Sequence, residues 1–385
     1  MKKVIEVLAY KVDSFDNESF AEDVKVFSKK SIILFFNKDG VSVHYKPDDV
    51  VLKKQLLKFI KLSSHKMDYI MYPFVFCMDH FRLSLLFLKI LIFYKVNTVV
   101  VENTFVAGIL ALYRKLRIFK RLIYLPGDWL AGCKAKKQGL WSNIGSNSIF
   151  PIFDFMACRG SDITLNCTKR IAQEREAFWG KKITNFEAEF QSRLVFKITK
   201  NLSAKKRNKV LFMGKMRQDS GLELIVKSLS FIRKEIDISL KIFGAINLQY
   251  EYIKNLAKDY GVEAAIEFHG YLDRERFEDM MSDCFCGINL ITSTDSYTAK
   301  TLPAKVFDYL QYLLPVIVTE NIGQTSELVK EFKLGEVINS NEKELVDALK
   351  KIFESQPVYR DNIIKYIKST AEKATIAQFF DMQCK

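Results

Sequence analysis

The feature that most constrains this chain is an alternation of short, almost wholly apolar runs with segments of helix length. In the first half the strand-like runs fall at 4–9, 32–36, 69–72, 98–101 and 122–125. Helix-length segments lie between them at 18–28, 50–62, 81–94 and 105–116. A strand that is apolar on both sides must be covered on both faces, and intervening helices supply that cover. The pattern therefore predicts parallel sheet wrapped by helices. A further unit follows, with a helix at 152–158, a strand at 162–166 and a helix at 169–179.

From 193 to 209 the composition changes. Arg193, Lys197, Lys200, Lys205, Lys206, Arg207 and Lys209 occur there without an acidic residue. Such a stretch reads as an exposed linker, and the same charge would suit a binding patch. The alternation then restarts, with strands at 210–213, 239–243, 265–269, 286–291, 315–319 and 336–338. Helices are expected at 222–234, 248–260, 274–281, 304–312, 325–332 and 342–354. The division is a first domain at 1–192, a basic linker at 193–209, a second domain at 210–360 and a helical tail at 361–385, which has the option of packing back on the first domain. The fold class is α/β: two doubly wound, Rossmann-like domains facing each other across a cleft, with ligands at the carboxyl ends of the strands.

Composition narrows the setting. The 385 residues carry 59 Lys+Arg against 45 Asp+Glu, a net charge of +14, and 49% are hydrophobic, which excludes a disordered or fibrous chain. The seven cysteines are unevenly spaced, and Cys284-x-Cys286 has no second pair to complete a zinc site, so they read as reduced thiols of a cytoplasmic protein. The apolar start is too short for a signal peptide. The longest apolar stretch, 83–96, is broken by Lys89 and Lys95 and falls short of the ~20 residues a membrane span needs, so it reads as a buried helix.

Gly-x-Gly-x-x-Gly and Gly-x4-Gly-Lys-Ser/Thr are both missing, which argues against a dinucleotide enzyme and a P-loop NTPase. With four scattered histidines and no Asp-x-Asp, no metal is expected. What stands out is Val210-Leu-Phe-Met-Gly214-Lys215-Met-Arg217-Gln-Asp-Ser220-Gly221, a strand running through Gly and two cations into a helix. Glycine lets the backbone approach a ligand, and the helix start offers free N–H groups to phosphate. Lys215 and Arg217 could add charge-assisted bonds to a diphosphate, or could be solvated cations on an ordinary turn. The second constellation is Lys300-Thr-Leu-Pro303-Ala-Lys305-Val-Phe-Asp308. Pro303 favours a helix start, where the cation Lys305 is unfavourable unless an anion is bound. Asp308, one turn on, suits a ribose diol, or else forms a surface pair with Lys305.

The segments Phe-Met-Gly214-Lys215, Leu-Lys-Ile-Phe-Gly244, Ile-Glu-Phe-His-Gly270-Tyr271-Leu, Pro303-Ala-Lys305-Val-Phe-Asp308-Tyr and Pro-Val-Ile-Val-Thr319 resemble, in order and spacing, the C-terminal domain of GT-B glycosyltransferases. They are most similar to the retaining group 1 family (glycosyltransferase family four). The resemblance covers roughly residues 209–355; the first domain matches more loosely, through 112–129 and 161–180. It implies a nucleotide-diphosphate-sugar donor on the second domain and the acceptor on the first. Lys215 corresponds to the family's diphosphate-contacting cation, while Ser220 stands where a second basic residue is usual. The family's Glu-x7-Glu falls on Lys300 and Asp308, so the first acid is reversed in charge and the second shortened. Lys305 resembles the lysine of a Pro-Ser-Lys variant and is a candidate for the missing phosphate contact. Gly244, Gly270 and Tyr271 are implied as donor-side positions.

On the first domain the strand at 122–125 ends in Pro126-Gly-Asp128-Trp129. The resemblance makes Asp128 the candidate acceptor-side catalytic residue, and Trp129 either stacks on a sugar or packs beneath its loop. Retaining chemistry of this kind needs no protein nucleophile and no metal, only stabilisation of the leaving diphosphate by cations and helix N-termini. The basic, aromatic segment 113–123, with Lys134, Lys136 and Lys137, would suit an anionic membrane surface or be a solvated loop; no nucleic-acid module is present. The expectation is a cytoplasmic, peripherally membrane-associated hexosyltransferase acting on a glycan or lipid-linked glycan. The alternatives are a non-catalytic GT-B accessory subunit and a transferase acting on protein Ser/Thr.

Overall fold

The computed structural model describes residues 3–12, 31–37, 40–45, 54–58, 66–126, 149–166, 169–179, 185–186, 207–214, 216–244, 248–270, 281–293 and 303–371. The expected helix at 18–28, and residues 274–280 of the one expected at 274–281, lie outside them. The chain divides into two compact units, Met1–Ser192 with Ala374–Lys385, and Arg193–Lys373.

The first unit is built on strands β1 (Lys3–Val12), β2 (Ser31–Asn37), β3 (Gly40–Tyr45), β4 (Lys54–Lys58), β5 (Tyr94–Val101), β6 (Arg121–Tyr124), β7 (Ile163–Leu165) and β8 (Asn185–Phe186). They form one sheet in the order β4-β3-β2-β1-β5-β6-β7-β8. β1 lies between β2 and β5, parallel to both, with Leu8 opposite Ile32 on one side and Val99 on the other. All three side chains are buried, as a strand apolar on both sides requires. The helices are α1 (Lys66–Phe93), α2 (Thr104–Lys115), α3 (Phe150–Gly160) and α4 (Lys169–Trp179).

Two expectations for this half are corrected. The strand expected at 69–72 lies inside α1: the apolar residues go on past Pro73 for far longer than a strand needs, and one 28-residue helix takes all of them. The helix expected at 50–62 is replaced, at 54–58, by strand β4, which pairs antiparallel with β3. β3 itself was not expected, although Val41, Val43 and Tyr45 alternate with Ser42 and His44 in the two-residue period of a strand. The sheet is therefore mixed, with an antiparallel edge, rather than wholly parallel.

Below this sheet Arg175 and Asp154 form an ion pair at 3.2 Å with both side chains fully buried. Asp154 also accepts hydrogen bonds from Tyr124 Oη at 2.9 Å and Trp179 Nε1 at 2.9 Å. Three elements (β6, α3 and α4) are thus tied to one carboxylate.

The second unit contains β9 (Lys209–Met213), β10 (Ser239–Phe243), β11 (Ile266–His269), β12 (Cys284–Asn289), β13 (Val316–Thr319) and β14 (Gly335–Ile338). Their order is β11-β10-β9-β12-β13-β14, and each recorded pairing is parallel. Its helices are α5 (Leu222–Ile232), α6 (Leu248–Asp259), α7 (Ala304–Gln311), α8 (Gln324–Phe332), α9 (Glu342–Glu354) and α10 (Gln356–Ala371). Side chains alternate between two cores. Val210 and Phe212 of β9 join α5, α6 and α9, while Leu211 joins α7, α8 and α10. Burying each such Leu, Val or Phe contributes about 1.5–3 kcal/mol, so the two apolar layers dominate the stability of this unit.

The edges of the expected linker and tail shift. Arg207 is buried and Lys209 opens β9, so the basic stretch is structural at its C-terminal end. Residues 361–371, expected in the tail, belong to α10, whose Ile363, Tyr366 and Ile367 lie in the core of the second unit. Among the described residues no helix is long and apolar enough to cross a membrane.

Candidate functional site

In the second sheet the chain starts in the middle at β9, moves outward through β10 to β11, then crosses to β12 and moves outward through β13 to β14. The direction of winding reverses between β9 and β12. The helices that follow those two strands leave on opposite faces, so a crevice opens at their carboxyl ends, the usual ligand position in such sheets.

Gly214 ends β9 with φ 119°, a backbone conformation that side-chain-bearing residues rarely adopt. Its amide donates to the Phe243 carbonyl at 2.8 Å, which continues the ladder to β10. Gly244, at the end of β10, lies so close that a Cβ there would stand 1.9 Å from the Gly214 carbonyl oxygen. The two glycines thus allow adjoining strand ends to close up and leave their backbone bare at the carboxyl edge.

Lys305 projects into this place from α7. Its Nζ lies 3.7 Å from the position of a Cβ on Gly214 and 5.3 Å from the centre of the Phe212 ring. Burial, and next the nearby charge of Arg217, push its ammonium down to about 8, against partial support from Asp219. Among the described residues Lys305 makes no hydrogen bond and no ion pair. Pro303 is the N-cap of α7, contributes no side-chain cap, and is followed by no acidic residue in the first turn. A half-buried cation at the positive end of an uncapped helix is favourable once an anion arrives.

Several other cations of this unit are already paired. Lys209 contacts Glu267 at 2.6 Å and Asp283 at 3.1 Å, and Lys241 contacts Asp283 at 2.6 Å. Arg217 is held bidentate by Asp219, with Nε–Oδ1 at 2.8 Å. Ser220 turns its hydroxyl back onto the Arg217 carbonyl at 2.6 Å, which pins the turn before α5. The structure therefore uses Arg217 and Ser220 to shape the loop, with Arg217 contributing its charge beside Lys305.

α7 is fixed by Tyr309, a residue the sequence reading passed over. Its ring is fully buried against Gly287 of β12, where a Cβ would stand 2.3 Å from it. The hydroxyl accepts from the Met213 amide at 2.9 Å and donates to the Ile288 carbonyl at 3.2 Å. One phenol thus joins the ends of β9 and β12 to the helix carrying Lys305 and Asp308. The available signal was a Tyr four residues beyond Lys305, facing a glycine in an otherwise bulky strand. Asp308 lies partly buried one turn beyond Lys305. Gly270 ends β11, with nothing within 4 Å of its Cβ position. Beside it the His269 ring stacks on Phe243 at 5.0 Å.

Gly214, Gly244, Arg217, Ser220, Pro303, Lys305, Asp308 and Gly270 are thus all placed at or next to the carboxyl edge of one sheet. Asp128, Trp129, Lys215, Tyr271 and Lys300 lie outside the described residues. Of the basic segment 113–123, Arg114 is engaged in a bidentate pair with Asp162, with Nε–Oδ2 at 2.7 Å, and is not a free surface charge.

Residues 196–370 match the family model of glycosyl transferases group 1. No curated protein sequence matches the chain with significance. Among solved structures, sucrose-phosphate synthase from Thermosynechococcus elongatus is similar, with TM-score 0.68 and 12% identity over 94% of each chain. HepE from Anabaena, in complex with UDP, aligns with TM-score 0.60 and 10% identity over 99% of this chain and 98% of its own. WaaG, a glycosyltransferase involved in lipopolysaccharide biosynthesis, aligns with TM-score 0.57 and 11% identity over 98% of each. The two Rossmann-like units are those of the GT-B fold, and the unit that holds Gly214, Lys305 and Asp308 is the one that matches the group 1 transferases.

Proposed function

We propose that this chain is a glycosyltransferase that takes a sugar from a nucleotide-diphosphate donor bound at the carboxyl edge of the second sheet. The observation that carries this reading is Lys305: a half-buried ammonium with no ion-pair partner among the described residues, beside the bare backbone of Gly214, at the winding reversal of the sheet. A diphosphate supplies the anion such a place lacks. Its oxygens would accept from Lys305, from the amides at the start of α7 and, by the family resemblance, from Lys215. Asp308 would accept from the ribose hydroxyls.

The chemistry follows from that charge. As the bond between the anomeric carbon and the donor phosphate breaks, negative charge grows on the leaving diphosphate, and Lys305 with the α7 N-terminus stabilises it more strongly than in the ground state. The diphosphate oxygen freed in this way is placed to take the acceptor hydroxyl proton on the same face, so the sugar is transferred with retention and without a metal. Asp128 and Trp129 are proposed on the acceptor side, and the acceptor is proposed to be a glycan or lipid-linked glycan. Support for a membrane-borne acceptor comes from Phe81 (64% exposed) of α1 and Leu116 (71%) just past α2, and from the exposed cations Lys89 of α1, Lys95 of β5, Lys115 at the end of α2 and Arg117 after it. That mixture suits the headgroup layer of an anionic bilayer on the cytoplasmic face.

UDP is the first ligand to try, since HepE is a complex with it. Calorimetric titration of UDP, GDP and dTDP into the wild type should detect binding to at least one, and Asp308→Ala should weaken it more than tenfold. Unchanged binding by that variant removes Asp308 from the site. Donor hydrolysis that persists with a chelator present supports the metal-independent enzyme, and tight binding without any hydrolysis favours the accessory-subunit reading.

A further inference from the structure

The half-buried amine of Lys305 has few charged groups around it. From the turn after β9 come Arg217 and Asp219, bound to one another. From β9 comes the Phe212 ring. β12 and β13 present Gly287, Asn289 and Val318 on the face that α7 covers, and none of these titrates. α7 itself adds Asp308, one turn on. Guanidinium and carboxylate groups keep their charge between pH 7 and pH 9. Nothing among these described groups stands against Lys305 as a dedicated counter-ion.

We propose that a nucleoside diphosphate binding at this site brings a proton with it: the Lys305 amine takes one from solvent as the diphosphate oxygens become its counter-ion. The inference rests on the reading of this edge as the donor site. The reaction balances as neutral amine plus one solvent proton giving ammonium, with no other bond made or broken. Without ligand the ammonium is held down to about 8 by burial and by Arg217. A dianion at hydrogen-bond distance restores a normal lysine, because an opposite charge favours the protonated form. Binding therefore weakens above pH 8, where the proton must first be captured.

The test is calorimetry of UDP with the full chain, in buffers of different ionisation enthalpy. The wild type should take up about 0.7 proton per UDP at pH 8.5 and about 0.1 at pH 7, and its Kd should rise roughly five- to tenfold between pH 7.5 and pH 9. Lys305→Arg, which keeps its charge throughout, should show no uptake at pH 8.5 and a flat affinity. Wild-type binding with no proton uptake and no pH dependence overturns the coupling and leaves the donor site standing. The same uptake in Lys305→Arg assigns the proton elsewhere and also overturns it. If neither UDP, GDP, ADP nor dTDP binds the wild type, the donor-site reading itself falls. Should the variant not fold, the wild-type proton count decides alone.

Discussion

The Gly214 carbonyl oxygen lies 1.9 Å from the point where a Cβ on Gly244 would stand. Two strand ends therefore meet where neither can bear a side chain, and this bare edge faces Lys305. Gly244→Ala should push the ends of β9 and β10 apart and cost about 1–3 kcal/mol, the usual effect of overpacking. Gly270→Ala, with open space at its Cβ position, should stay within about 0.5 kcal/mol of the parent. Urea denaturation of both variants checks this, and equal losses would show that the close approach is not what demands glycine.

Tyr309→Phe should cost about 1–3 kcal/mol, because it leaves the partly buried Met213 amide without the phenol oxygen it donates to. It should also weaken UDP binding, since the same phenol sets where α7 holds Lys305 and Asp308. A stability loss with unchanged affinity would show that α7 keeps its place without the hydroxyl.

Much of this was legible in the chain itself, most clearly in the second unit. There the strand and helix at 239–243 and 342–354 fall where the apolar pattern puts them, because burial on both faces leaves a strand no other use for such residues. The first unit was harder to read. Lys54-Gln-Leu-Leu-Lys58 is made of good helix formers, yet pairing with β3 and the packing of Leu57 on the core outweigh a preference worth tenths of a kcal/mol per residue. Gly214, Lys305 and Asp308 could be picked out as types at a strand end and a helix start. That Lys305 would be half-buried without an ion-pair partner among the described residues, while Arg217 is held by Asp219, depends on side-chain placement that spacing does not encode. Nor does any local pattern announce that Tyr309 reaches two strands at once.

The pair Arg175–Asp154 is buried without exposure, so removing one member strands the other charge. Arg175→Met alone should cost about 3–5 kcal/mol, whereas Arg175→Met with Asp154→Leu should recover a large part of that loss. Chemical denaturation of the two singles and the double closes the cycle. Additive losses would mean that the two residues act independently, against the ion pair and the hydrogen bonds that join them directly.

The ladder of Lys209, Lys241, Glu267 and Asp283 predicts a specific acid sensitivity. Burial alone would raise the Asp283 carboxyl, but hydrogen bonds and charge from Lys241 and Lys209 outweigh it and hold the group below its ordinary value. Glu267 is held down in the same way, against its own burial, by Lys209 and His269. A carboxyl lowered by folding binds fewer protons in the folded than in the unfolded chain. Its stabilising contribution is then complete above the ordinary carboxylate range near pH 4 and is lost as the pH falls through the folded value. Stability should therefore decline steadily from about pH 5 to pH 3. Lys241→Met releases part of the hold on Asp283, so it should lower stability at pH 7 and flatten that decline. Denaturation midpoints of both proteins at pH 7, 5, 4 and 3 test this, and parallel curves would show that Lys241 does not set the Asp283 titration.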